Sequence, residues 1–183
     1  MNLTSILLWG FAATIALTTL TSVSHGIGLT RISIPFLLGT MLTPNRDRAL
    51  VVGVVFHIVN GWLFALLYAA MLEGIGWTSW WLGAGIGCAH AIFVLAVGMP
   101  LLPGLHPRMV SEYYGPTPNR RLQPPGFFAL NYGRQTPVVT ILAHVLYGAI
   151  IGGSMNFPRD DPDALRGVCT HGYVVQLGGS GDP

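Results

Sequence analysis

The sequence predicts an all-α, polytopic membrane protein: a four-transmembrane-helix bundle, read further as two repeated helical hairpins. Three observations carry this. Charged residues are only 9 % of the 183, against about 25 % in a soluble domain. Mean hydropathy is +0.57, leaving little polar surface to face water. Apolar residues gather in four runs, about 4–33, 49–72, 80–99 and 137–155, each long enough to cross a hydrocarbon core of about 30 Å as a helix. The expected organisation is a transmembrane domain over 1–157, containing a long cytoplasmic loop at 101–136, and a polar C-terminal tail over 158–183.

The first helix carries Thr14, Thr18, Thr21 and His25 at helical spacing, one polar stripe turned towards protein. Its apolar run lacks a preceding Arg or Lys and is too long for a signal peptide, so it is expected to stay in the mature chain. Pro35 is expected to end it, because the residue before proline leaves the helical region. A connection over 34–48 leads to the second helix, where Gly53, His57 and Gly61 stand four apart on a face that admits a close neighbour. Trp80-Trp81 supplies an aromatic anchor ahead of the third helix. Gly83, Gly87 and Ala91 share a face of that helix, with His90 beside them, and Pro100 is expected to stop it.

The next connection, 101–136, far exceeds the roughly 2–8 residues usual between bundle helices. It is rich in proline and arginine. Pro137 then opens the fourth helix, which carries His144 and Gly148. The tail holds Asp160, Asp161 and Asp163 and closes on a flexible Gly178-Gly179-Ser180-Gly181. Seven of nine arginines fall in the connections 34–48 and 101–136 or at their edge. The positive-inside rule therefore puts both connections in the cytoplasm and both termini outside, in a cell (inner) membrane.

The repeat rests on two gap-free matches: His25 and Pro35-Phe36-Leu37-Leu38-Gly39 with His90 and Pro100-Leu101-Leu102-Pro103-Gly104, then His57-x-x-x-Gly61 with His144-x-x-x-Gly148. The order is histidine helix, proline break, histidine helix in each half. Counted from the helix ends, all four histidines fall about 10–15 Å deep. They are expected to converge, with Thr18, Thr21, Asn60 and Tyr147 around them.

A histidine inside a membrane helix is costly and marks a functional site by default. Its bland role is an interhelical hydrogen bond worth about 0.6 kcal/mol. The sharper role is a ligand: His25, His57, His90 and His144 as a cofactor site for haem b or a transition metal, with His57 and His144 as the metal pair, no cofactor being the other expectation. A second site is the cytoplasmic set His106, Arg108, Glu112, Asn131, Tyr132 and Arg134, able in principle to meet an anionic lipid headgroup or a partner. No carboxylate falls within the four runs, which argues against an ion-coupled transporter. A net charge of +2 leaves no nucleic-acid footprint, and Cys88 and Cys169 make no disulfide framework.

The first functional expectation is a non-catalytic accessory or scaffold subunit of a larger membrane complex. Its partners are the lipid bilayer and other membrane subunits or copies of itself. A haem- or metal-binding redox protein comes second. A membrane enzyme acting on a lipid headgroup at the cytoplasmic loop comes third.

Overall fold

A computed structural model describes residues 2–111 and 113–155; Glu112 and the tail 158–183, with its aspartates and Cys169, lie outside them. Six helices follow in order: α1 Leu3–Gly26, α2 Ile34–Leu42, α3 Arg46–Ile75, α4 Trp80–Phe93, α5 Met99–Leu105 and α6 Thr136–Ser154. A π-helical turn, Val94–Gly98, joins α4 to α5, so Trp80–Leu105 is one continuous helix. Four helices are thus long and apolar enough to cross a membrane: Leu3–Gly26, Arg46–Ile75, Trp80–Leu105 and Thr136–Ser154. The described residues form no strand, only two isolated bridges in the long connection, Met109 with Leu122 and Thr117 with Arg120.

Local chemistry sets the helix ends. The Asn2 side chain caps α1 by accepting from Thr4 N, Asn45 caps α3 by accepting from Asp47 N and Arg48 N, and Ser79 caps α4 through Leu82 N. Gly76 closes α3 in the left-handed conformation (φ +73°) that glycine adopts without penalty. Two sequence-based boundaries need correction. The first long helix ends at Gly26, seven residues before the expected 33, because Gly28 turns the chain at φ +79°. Pro35 instead opens a short helix, α2, in what reads from sequence as a plain connection. The third helix does not stop at Pro100. The Met99 N–H bonds to Val94 O, five residues back, and the widened turn accommodates a proline that lacks its own N–H.

Glycines set how the helices pack. A Cβ on Gly83 or Gly87 would land on the Gly148 or His144 carbonyl, so α4 and α6 touch backbone to backbone. A Cβ on Gly61 would strike the Thr14 side chain of α1, and one on Gly39 or Gly53 would strike the Ala49 or Pro35 backbone, locking α2 along α3. The small-residue faces are therefore used inside the chain; Gly85, by contrast, meets nothing within 4 Å. Helix α6 packs against α1, α3 and α4 and is the most enclosed of the four long helices.

Two apolar cores result. One lies mid-bundle around Leu17, Tyr68, Leu72, Tyr147 and Ile151. The other lies where α1 and α5 end and α3 and α6 begin, the loop end, around Ile32, Leu37, Leu95, Met99, Met109 and Ala129. The long connection is thus part of a packed layer. Its turn Phe127–Tyr132 holds Phe128 and Ala129 at φ 53° and 55°, which buries Ala129 completely. Both halves of the chain run long helix, short helix, long helix. Their packing differs, since α2 lies along α3 whereas α5 prolongs α4.

Replacing Gly148 by alanine is expected to lower stability by about 1–3 kcal/mol, because α4 must move away to admit the methyl group. Gly85→Ala should instead be neutral or stabilise by up to about 1 kcal/mol through helix propensity. Thermal melting of the detergent-purified variants reads both signs. Equal melting temperatures would remove the backbone contact as the basis of the packing.

Candidate functional site

Between the two cores lies a mostly apolar cavity of about 240 Å³. His57 of α3, His90 of α4 and His144 of α6 line it, together with Asn60, Thr14, Thr21, Thr140 and Tyr147. The π-turn contributes Val94 and Gly98, and the second core contributes Ile32, Leu37 and Met99. The glycine contact between α4 and α6 places the His90 and His144 rings edge to face, with centroids 4.8 Å apart. Phe64 lies over His90 at 4.1 Å.

Proton counting assigns each ring on its neutral form. The His144 Nδ1 sits 2.8 Å from Thr140 O, a carbonyl that only accepts, so Nδ1 carries the hydrogen. Thr18 Oγ1 donates its one hydrogen to Thr14 O at 2.7 Å, so at its 3.4 Å contact with His57 the Nδ1–H donates. Both rings therefore keep a bare lone pair on Nε2. His90 is reversed. The hydroxyl of Tyr68, which is only 1 % exposed, has no other acceptor for its hydrogen among the described residues than His90 Nδ1 at 3.2 Å; donating there, it leaves the His90 hydrogen on Nε2.

The surrounding hydroxyls are spent in the same direction. Thr14, Thr21 and Thr140 donate to carbonyls one turn back, and Tyr147 donates to Gly61 O at 2.6 Å, so each can only accept from a guest. Asn60 makes no side-chain hydrogen bond among the described residues. The cavity thus offers mainly acceptors, with donors confined to His90 Nε2–H and the Asn60 amide.

His25, expected to be the fourth member, lies elsewhere. The early end of α1 leaves it exposed, with Nδ1 donating to Thr30 O at 3.1 Å, on a second hollow at the loop end. Thr18 meets His57 at 3.4 Å, Thr21 and Asn60 line the cavity, and Tyr147 reaches a backbone carbonyl and no imidazole. The signal missed in the sequence is Gly26-Ile27-Gly28, a helix-stop pattern that moves His25 out of the bundle.

Of the loop set, His106, Arg108, Asn131 and Tyr132 bond to neighbouring backbone, and Glu112 lies outside the described residues. His106 is 3 % exposed; its Nε2–H donates to Leu37 O at 3.0 Å, and its Nδ1 accepts from Arg108 N at 3.1 Å. Burial, assisted by the neighbouring Arg108, holds its pKa below the usual value of 6.5, against the opposing effect of the Leu37 carbonyl. The Arg108 guanidinium donates to Thr40 O and Met41 O, capping the last carbonyls of α2. Asn131 donates to Pro124 O and Tyr132 to Gln123 O, and burial raises the Tyr132 pKa. Arg134 is exposed. With both nitrogens engaged, His106 is not positioned to carry a substrate proton.

Tests of cofactor fit divide. The cavity is below the roughly 300–1,000 Å³ of drug-sized ligand sites, and a porphyrin is larger than most such ligands. His90 and His144, packed ring to ring, leave no room for one between them. Haem does not fit. No group of three or more His, Cys, Asp or Glu among the described residues is spaced to hold a metal ion. Two Nε2 donors, His57 and His144, remain; a metal-binding histidine commonly has its other nitrogen anchored as theirs are.

The fold and this cavity define the class: an all-helical bundle with four membrane-length apolar helices around a histidine-lined chamber. No protein-family model, curated protein or solved structure matches the chain.

His106→Ala should cost about 1–3 kcal/mol, since it strands the Leu37 carbonyl and the Arg108 N–H in a buried layer. His57→Ala should cost about 0.6 kcal/mol, the average for a bond between membrane helices. Acid should also loosen the loop: with the folded pKa of His106 below 6.5, the unfolded chain binds more protons, so stability falls as pH drops through about 6.5. Melting curves across pH 5–8 check this, and a His106→Ala variant should lose that part of the slope.

Proposed function

We propose that the protein is a non-catalytic, multi-pass membrane protein whose working part is the histidine-lined cavity, a binding site for a small, mostly apolar molecule bearing hydroxyl or N–H donors. The carrying observation is the chemistry of the lining: apolar walls, two Nε2 lone pairs, three threonine oxygens able only to accept, and an uncommitted Asn60 amide. A cavity of 150 Å³ takes a benzene molecule, so about 240 Å³ suits a single substituted ring. Acceptors in excess select a guest that donates; an ether or ketone of the same size leaves them unpaired.

A second reading is supported by the anchored Nδ1–H groups of His57 and His144: a two-histidine site for a transition metal that imidazole suits, such as copper or zinc. Elemental analysis separates the two. Stoichiometric metal lost in His57→Ala and His144→Ala assigns the metal. Its absence from metal-supplemented protein leaves the organic guest.

For the guest, 4-azidophenol photolabelling should modify residues of α3, α4 and α6 around the cavity. Phenol should compete about three- to tenfold better than anisole, the value of one hydrogen bond. His57→Phe and His144→Phe should weaken labelling without loss of fold. Equal competition by anisole would sink the reading.

The wider setting we propose is a subunit of a larger assembly in the cell membrane, with the loop end cytoplasmic. All seven described arginines lie at that end, which supports the orientation. Tyr113 and Tyr114 project from the connection at 89 % and 61 % exposure, which supports docking there. In a Cys88→Ala, Cys169→Ala background, Gly115→Cys should resist a membrane-impermeant thiol reagent in intact cells and react in inverted vesicles. The reverse pattern would turn the protein over.

A further inference from the structure

The loop end holds a second hollow of about 470 Å³, on the other side of the segment that walls the histidine cavity, with Ile32 and Leu37 common to both linings. Arg31, Arg46 and Arg121 line it with His25, Ser33 and Tyr132, and none of the described residues that line it is acidic. The three arginines come from separate places: the turn after α1, the first turn of α3 and the long connection.

Two of them are held from behind. Arg31 Nη2 donates to Asn131 O, and the Arg46 guanidinium lies 5.4 Å from the centre of the Phe36 ring. Neither contact neutralises a charge, and each guanidinium has five N–H donors, so most remain for a guest. Ser33 adds a hydroxyl at the N-terminus of α2 that makes no capping bond, at the end of a helix where the macrodipole favours negative charge. Three like charges around one hollow repel each other unless an anion joins them. The planar fork of arginine matches the oxygens of a phosphate better than a point charge does.

We propose that this hollow is a phosphate site, its arginines clamping the oxygens of an anionic phosphate group. Its place at the ends of four apolar helices, with Phe36 and Leu50 on its rim, brings the headgroup of an anionic phospholipid within reach. It is chemically distinct from the histidine cavity, which carries no formal charge, and stands whether or not that cavity has a guest.

The test uses the full chain in a neutral detergent, with melting followed by tryptophan fluorescence. Phosphatidylglycerol, phosphatidylcholine and sodium phosphate are titrated separately at constant ionic strength. Phosphatidylglycerol should raise the melting temperature more than phosphatidylcholine. Its apparent affinity should weaken at least about tenfold in Arg46→Gln/Arg121→Gln, as expected when charge-assisted bonds are lost. Arg134→Gln, exposed and outside the lining, should behave as the parent. If sodium phosphate reproduces the shift, with the same loss in the double variant, the site is a phosphate site filled from solution. If the double variant fails to fold, Arg121→Gln alone, in the exposed connection, should still weaken binding severalfold. Unchanged affinity in the folded Arg-to-Gln variant, or equal response to phosphatidylcholine, overturns the proposal.

Discussion

Everything in this bundle depends on α4 and α6 meeting without side chains between them. Gly83 and Gly87 face Gly148 and the His144 carbonyl so closely that a methyl group has no place there. At that separation His144, on the glycine line of α6, and His90, one residue off the small-residue line of α4, are forced together, and their rings pack edge to face. The third histidine arrives by a looser version of the same device, with Gly61 of α3 against Thr14 of α1. Where helices are surrounded by apolar material, small residues are what bring them into contact, and here the same residues decide where the polar groups sit.

Polar groups inside the bundle are disposed of locally. The hydroxyls of Thr14, Thr18, Thr21 and Thr140 return to carbonyls of their own helices, and each of the three histidines gives one nitrogen to a neighbour. This removes most of the cost of burial and also fixes which atoms face the cavity. The direction of these bonds, more than the number of polar residues, defines what the chamber can recognise.

The apolar runs made the four long helices legible, because span length and hydropathy are properties of the chain alone. Gly53, Gly61, Gly83, Gly87 and Gly148 were legible as contact positions from their four-residue spacing. Three of the four histidines share the cavity, and the fourth does not because the chain turns at Gly28, a short-range event within an otherwise continuous apolar run. Helix α2 was hidden because nine residues are too few for a periodic signal, and its stability comes from Gly39 and Gly53 in tertiary contact. The roles of His106 and Arg108 were equally hidden: a charged, proline-rich stretch looks like solvated loop until its partners, Leu37 O and the end of α2, are in view.

The π-turn at Val94–Gly98 fits one extra residue into its revolution, and an α-helix advances about 100° for each residue. Everything beyond it is rotated by that angle relative to an uninterrupted helix. Met99 and Leu102, which close the floor of the cavity, both lie beyond this offset. The third helix therefore behaves as two rods joined by a keyed coupling, and the inventory of side chains at the floor is written by where the surplus residue sits.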